Sequence, residues 1–273
     1  MTHDLTHGLP HGLTQAAALP TVLVFSGLDP SGGAGIAADL MAIAAQGAHA
    51  LPIVTALTVQ DQNRVYGVEP VDSALLLRQA EALIAALRID AVKIGIPGSR
   101  ANAEVVAGVI RRLRQRAPNL PVVLDPVLAS GHGDLLARGD AAAALAPLLP
   151  LATVLVPNLH EAAALDTAQC RHVLVTGGHA EGAFVINRWR GADQGQGQDR
   201  VRVREWRWPR LPGQFHGSGC TLAAAIAARL ALGEAMELAL GTAQAYVHAT
   251  LAQSFCVGTG QRIPRRFTSD LQH

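Results

Sequence analysis

The sequence predicts an α/β fold, a mainly parallel central sheet with helices on both faces. Short, near-continuous apolar runs such as TVLVF (21–25), AVKIGI (91–96), PVVL (121–124) and HVLV (172–175) alternate with longer segments of helical periodicity. Strands buried on both faces lose the in-and-out polarity of a half-exposed strand, so such runs read as interior strands of a parallel sheet. Polar residues follow these runs instead of interrupting them, as expected where ligands bind beyond the carboxyl ends of the strands.

Residues 1–20 carry a repeated His-Gly-Leu and read as a flexible N-terminal tail. A strand at TVLVFSGLDP (21–30) then leads through a glycine loop into a helix over SGGAGIAADLMAIAAQG (31–47), with Ile36, Leu40 and Ile43 at helical spacing and Gly47 as its stop. LPIVTALTVQ (51–60) is a second strand, and Asp72 or Ser73 starts the helix over 72–90. AVKIGIP (91–97) is a third strand, followed by a helix capped by Ser99; PVVLDPVLA (121–129), TVLVPN (153–158) and HVLVTGG (172–178) are three more strands. GADQGQGQDR (191–200) lies between two strand-like pieces and reads as a hairpin tip. One domain is expected over 21–258, with a C-terminal tail over 259–273.

Composition excludes several classes. A chain of 273 residues, 49% hydrophobic and 16% charged, can bury a large core. Net charge of +1 and 4% aromatic content offer neither the field nor the stacking surface of a nucleic-acid binder. No apolar run is long enough to span a bilayer. The three cysteines are widely spaced and no secretory leader is legible, so a reducing cytoplasm is the expected setting. No Gly-x-Gly-x-x-Gly follows the first strand, which argues against a dinucleotide-binding oxidoreductase.

Two features point to a site. HGSGC (216–220) runs into an alanine-rich helix whose first N–H groups have no internal partners and favour an anion. Gly217, Ser218, Gly219 and Cys220 are therefore either a phosphate cradle or a plain glycine turn before a buried helix. Of 22 basic residues only Lys93 is a lysine, which marks it as a place where a guanidinium does not substitute. The alternative is chance survival. Gly27, Asp29, Gln60, Lys93, Asp125, Asn158 and Thr176 all sit at or just beyond strands and should converge on one rim.

GLDPSGGAGIAADL, TALTVQ, VKIG, VVLDPV, VPNLHEA, VLVTGGH and HGSGCTLAAAIAA, in this order, resemble the hydroxymethylpyrimidine and phosphomethylpyrimidine kinases of thiamine biosynthesis. The match covers roughly residues 22 to 253 and implies a ribokinase-like three-layer fold. It implies transfer of the γ-phosphoryl group of ATP, with Mg²⁺, to the hydroxymethyl group of an aminopyrimidine and then to its monophosphate. Carried over residue by residue, it implies the Gly217–Cys220 amides around the transferring phosphoryl group, with Cys220 as proton acceptor, its thiol acidified by the helix start. It implies Gln60, Gly27, Asp39, Val127 and Ile96 near the pyrimidine. Asn158 and Glu161 hold Mg²⁺ and phosphates with help from Asp125, and Lys93 lies on the phosphate side. A homodimer is expected from the resemblance and an open sheet edge.

The chain departs from the family in places. Thr176 stands where the family commonly has a lysine, so Arg188, Arg190 or another arginine substitutes, or transfer is slower. Ile96-Pro97 alters the family's Met-Leu, and Ser218 keeps the hydroxyl of the family's threonine. The stretch between Glu161 and His172 is short, as though a peripheral helix were missing. Alternatives are a pyridoxal or pyridoxine kinase, disfavoured by Gln60 and Cys220, and a pyrimidine-binding regulatory homologue with weak or no turnover.

Overall fold

A computed structural model of the protein describes residues 18–129, 141–178, 180–193 and 200–267. Most of the expected 1–20 tail and the hairpin tip therefore lie outside the described residues.

The strands are β1 (Thr21–Leu28), β2 (His49–Gln60), β3 (Val65–Pro70), β4 (Ala91–Ile94), β5 (Val122–Leu124), β6 (Val154–Leu155), β7 (His172–Val175), β8 (Phe184–Asp193) and β9 (Arg200–Pro209). They form one nine-stranded sheet in the order β3-β2-β1-β4-β5-β6-β7-β8-β9. From β2 through β7 the neighbours are parallel, while β3, β8 and β9 join antiparallel at the two edges. The helices are α1 (Gly35–Ala45), α2 (Ser73–Ala86), α3 (Arg100–Arg116), α4 (Ala141–Leu145), α5 (Leu159–Ala164), α6 (Ser218–Ala231) and α7 (Met236–Ala252).

Alternation along β1 builds two cores. Leu23 and Phe25 pack with α2 and α3, whereas Val22 and Val24 pack with α1, α6 and α7. The helix starts follow their sequence signals: Asp72 accepts from the Leu75 N–H at 2.9 Å, and Ser99 accepts from Asn102 at 3.1 Å. Gly47 takes φ 83 just beyond α1, as its position after Ala45 implied.

The chain leaves β1 for β2 on one side, and β4 lies on the other, so strand order reverses beside β1. That reversal opens a crevice at the carboxyl ends of β1 and β4. The α6 start and the loop before α1 both reach it.

The boundary expected at 258 does not hold as a packing boundary. Ile263 and Arg266 are buried, Phe255 and Ile263 exchange backbone hydrogen bonds, and the Arg262 N–H donates to Gln214. The segment from 261 to 266 is thus wall, not tail. The shortened stretch after Glu161 holds one short helix, α5, and a single 3-10 turn at Thr167–Gln169. Among the described residues no helix is long and apolar enough to cross a membrane.

Candidate active site

Two glycine loops meet at the crevice. Gly217 is the N-cap of α6 at φ 78, and a Cβ there would lie 2.0 Å from the Gly33 carbonyl oxygen. A Cβ on Gly33 would in turn strike the His216 ring at 2.3 Å. These glycines are required by contact between the loops. Gly219 differs: a Cβ there meets only Asp125 Oδ1, at 3.9 Å, and the space in front of it is cavity. The two readings of HGSGC are therefore divided between its glycines.

Asp29 joins the loops. It accepts from the Ser31 and Ala34 N–H groups and lies 2.7 Å from His216 Nε2. Burial alone would raise this carboxyl; hydrogen bonds from His216, Ser31 and Gln60 outweigh it and bring Asp29 to about 2.

A cavity of about 990 Å³ opens here, lined by Gly27, Gln60, Ile96, Asp125, Val127, Asn158, Glu161, Thr176 and the Gly217–Cys220 turn. That volume is at the upper end for small-molecule sites and admits a nucleotide with a second small molecule. Gly27, Gln60, Ile96 and Val127 make an apolar wall with one amide. The first residues of α6, Ser218, Gly219 and Cys220, line the same cavity.

Asp39 and Lys93 are not in this lining, which corrects their expected ligand contacts. Both are fully buried, and Lys93 Nζ donates to Asp39 Oδ2 at 2.8 Å. Burial works against the Lys93 charge, but Asp39, Cys220 and Asp125 overcome it and hold the ammonium protonated. A Cβ on Gly95 would come within 3.0 Å of that ammonium, so the glycine leaves the ammonium the space it occupies. Lys93 thus acts through Asp39, Asp125 and Cys220 from beneath the cavity. Removing either Lys93 or Asp39 would strand the other's buried charge at a cost of about 3–5 kcal/mol.

Cys220 also departs from expectation. Burial pushes its thiol up to about 12, against the pull of Lys93 and with added repulsion from Asp125 and Asp39. The resting sulfur is therefore a protonated thiol, close enough to Asp125 for each to shift the other's titration. Cys256 is the exposed cysteine, so alkylation should reach it before Cys220.

Asn158 and Glu161 cap α5 reciprocally: Asn158 Oδ1 accepts from the Glu161 N–H at 2.9 Å, and Glu161 Oε2 accepts from the Asn158 N–H at 2.8 Å. Among the described residues Glu161 Oε1 has only a long bond from Leu128, 3.4 Å, and the buried Asp125 Oδ2 has no partner. Burial, opposed by Lys93 and reinforced by Asp39, raises Asp125 to about 6; burial and then Asp125 raise Glu161 to about 7. A partnerless carboxylate oxygen beside a second carboxylate suits a hard divalent cation that takes one or two protein oxygens and keeps phosphates and waters. Among the described residues no cluster of three or more His, Cys, Asp or Glu stands ready for a metal. The donor set therefore fits Mg²⁺ brought with a nucleotide.

These shifts carry a sign. Both acids are raised in the fold, so their contribution to stability is full below about pH 4 and is lost as pH rises through 6 and 7. Thermal unfolding of the metal-free protein should show Asp125→Asn gaining stability over the wild type at pH 8 and not at pH 4. Equal differences at both pH values would contradict the paired-carboxylate reading.

Thr176 donates weakly to the Pro157 carbonyl and carries no charge. Neither named arginine replaces the family lysine: Arg188 pairs with Glu205 and Arg190 donates to Thr167. Arg210 lines the cavity, but its guanidinium is bound to the carbonyls of Gly178, Ala180 and Gly182. The site list read from sequence omitted His216 and Arg266; His216 was legible in the motif HGSGC, whereas Arg266 had no local signal.

Phosphoryl transfer asks a protein mainly for fixed charge and a fixed second substrate. The cavity offers both on a sheet of ribokinase-like architecture, and the molecule is a phosphotransferase of that class. A profile described as phosphomethylpyrimidine kinase matches residues 29–264. The hydroxymethylpyrimidine/phosphomethylpyrimidine kinase of Rhizobium meliloti (strain 1021) is 37% identical over 259 residues, covering 88% of this chain and 93% of that protein. Pyridoxal kinase of Bacillus subtilis, solved as an ADP complex, superposes with TM-score 0.75 at 26% identity, covering 91% of this chain and 98% of that one. Phosphomethylpyrimidine kinase from Clostridium difficile 630 gives TM-score 0.65 at 28% identity, covering 84% and 97%. The chain belongs to the phosphomethylpyrimidine kinase family.

Proposed function

We propose that this chain uses ATP and Mg²⁺ to phosphorylate the hydroxymethyl group of 4-amino-5-hydroxymethyl-2-methylpyrimidine, and then the monophosphate, giving the diphosphate for thiamine biosynthesis. The observation that carries this reading is one cavity lined both by Gln60 with its apolar neighbours and by the Gly217–Cys220 turn. The likeness to pyridoxal kinases reports the shared fold, while the family match at higher identity reports the substrate side.

Each residue has a task. The Gln60 amide both donates and accepts, which suits the edge of an aminopyrimidine, and Gly27 leaves room for Ile96 beside the ring. The N–H groups of Ser218, Gly219 and Cys220 hold the transferring phosphoryl oxygens at the positive end of α6. Asp125 Oδ2 and Glu161 Oε1 would hold Mg²⁺, with Asn158 fixing Glu161; bound there, the ion offsets charge on the phosphates. Cys220 takes the substrate hydroxyl proton as that oxygen bonds to phosphorus, while its own proton passes to the neighbouring Asp125 carboxylate.

A homodimer is part of the proposal. Leu57, Val59 and Tyr66 are more than half exposed together at the β2–β3 edge, an apolar face that a second copy would cover. Sedimentation at micromolar concentration reads this directly, and a monomer contradicts it. The setting is proposed to be cytoplasmic.

Gln60→Ala tests the pyrimidine side. KM for the pyrimidine should rise by about 5- to 100-fold, the effect of one lost buried hydrogen bond, with a smaller change for ATP. Equal changes for both substrates would refute the assignment.

A further inference from the structure

Behind the Gly217–Cys220 turn lies a second buried cation. Arg266 is 1% exposed and enters from the C-terminal segment. Its Nε donates to Thr221 Oγ1 at 2.8 Å, and its Nη2 donates to the Gly33 carbonyl at 2.5 Å and to the Gly217 carbonyl at 3.4 Å. One guanidinium therefore touches both glycine loops and the first turn of α6. Its Nη1 is buried without a partner among the described residues.

The charge has no direct ion pair; Asp39 and Asp29 act on it only from a distance. Lys93 is neutralised by Asp39, but among the described residues no carboxylate lies within ion-pair distance of Arg266. Burying a charge unpaired is expensive, and the cost falls when an opposite charge arrives nearby. Thr176 brings no cation to the site, and Arg188, Arg190 and Arg210 are committed elsewhere.

We propose that Arg266 is a positioning residue for phosphoryl transfer: it clamps the two glycine loops together and supplies a standing positive charge behind the turn, directly paired only when a phosphate anion occupies it. This rests on reading Gly217–Cys220 as the phosphoryl cradle. The segment that carries Arg266 also reaches the other end of the cavity. Gln62 and Asn63, just past Gln60, both donate to the Thr259 carbonyl, and Asn63 Oδ1 accepts from the Gln261 N–H. The strap from 259 to 266 thereby ties the pyrimidine wall to the phosphate wall.

Thermal unfolding of the full chain, with inorganic phosphate and separately with ADP and Mg²⁺ as probes, tests this. Both should raise the wild-type Tm. In Arg266→Gln the phosphate affinity read from that rise should fall about tenfold or more, while Arg266→Lys, which keeps the charge, should retain most of it even at a lower basal Tm. An undiminished rise in Arg266→Gln, with only the basal Tm lowered, would reduce Arg266 to a packing residue and overturn the proposal. If Arg266→Gln does not fold, Arg266→Lys decides: retention of the phosphate-induced rise supports the proposal and its loss overturns it. Absence of any rise in the wild type would overturn the cradle itself, and the proposal with it.

Discussion

Replacing Cys220 by alanine should lower kcat by about 10²- to 10⁴-fold, the range of a lost proton acceptor, with KM for both substrates close to unchanged. The prediction does not rest on a thiolate, because burial pushes the thiol up to about 12 and the Asp125 charge adds to that shift. What the site uses is an atom that can receive one proton while giving another to Asp125. A serine hydroxyl can do the same, so Cys220→Ser should recover a large part of the activity that Cys220→Ala loses. Serine as inactive as alanine would point to a true thiolate base and contradict the relay. A folded, fully active alanine variant would remove Cys220 from the chemistry.

The second large effect separates two glycines that look alike in the sequence. Gly219→Val should fold, since a Cβ at Gly219 has no neighbour closer than 3.9 Å, yet its side chain would occupy the space in front of the α6 N–H groups. Turnover of ATP should fall by about 10²-fold or more, because phosphoryl transfer tolerates little displacement. Gly217→Ala should act on the fold: its Cβ would sit 2.0 Å from the Gly33 oxygen in a backbone at φ 78, a strain of roughly 1–3 kcal/mol or more. Thermal melts paired with ATPase assays check both. A destabilised Gly219→Val with normal residual turnover, or a stable but inactive Gly217→Ala, would reverse the assignment.

The central strands were legible because apolar runs need no partner information to be recognised. β3 was not: VYGVEP is short, half-exposed and defined by antiparallel pairing to β2, which a local reading does not contain. Within the site, residues whose role follows from their own backbone were readable. Gln60 ends a strand, Asn158 caps a helix and Gly217 opens one. The failures came from contacts between distant segments. Lys93 was marked by its rarity, but only the fold puts Asp39 against it and places the pair below the cavity. Cys220 was expected to be acidified by its helix start, and the desolvation that reverses this comes from packing. Arg266, apart in sequence from both glycine loops, sat in what the chain alone marked as a tail.

The most direct test of the account is a paired assay in which the chain, ATP and Mg²⁺ are given either 4-amino-5-hydroxymethyl-2-methylpyrimidine or pyridoxal, with products identified by mass and ATP consumption followed. The account predicts a pyrimidine monophosphate followed by the diphosphate, with kcat/KM for the pyrimidine well above that for pyridoxal. Preference for pyridoxal, or pyrimidine binding with no ATP consumed, would contradict it.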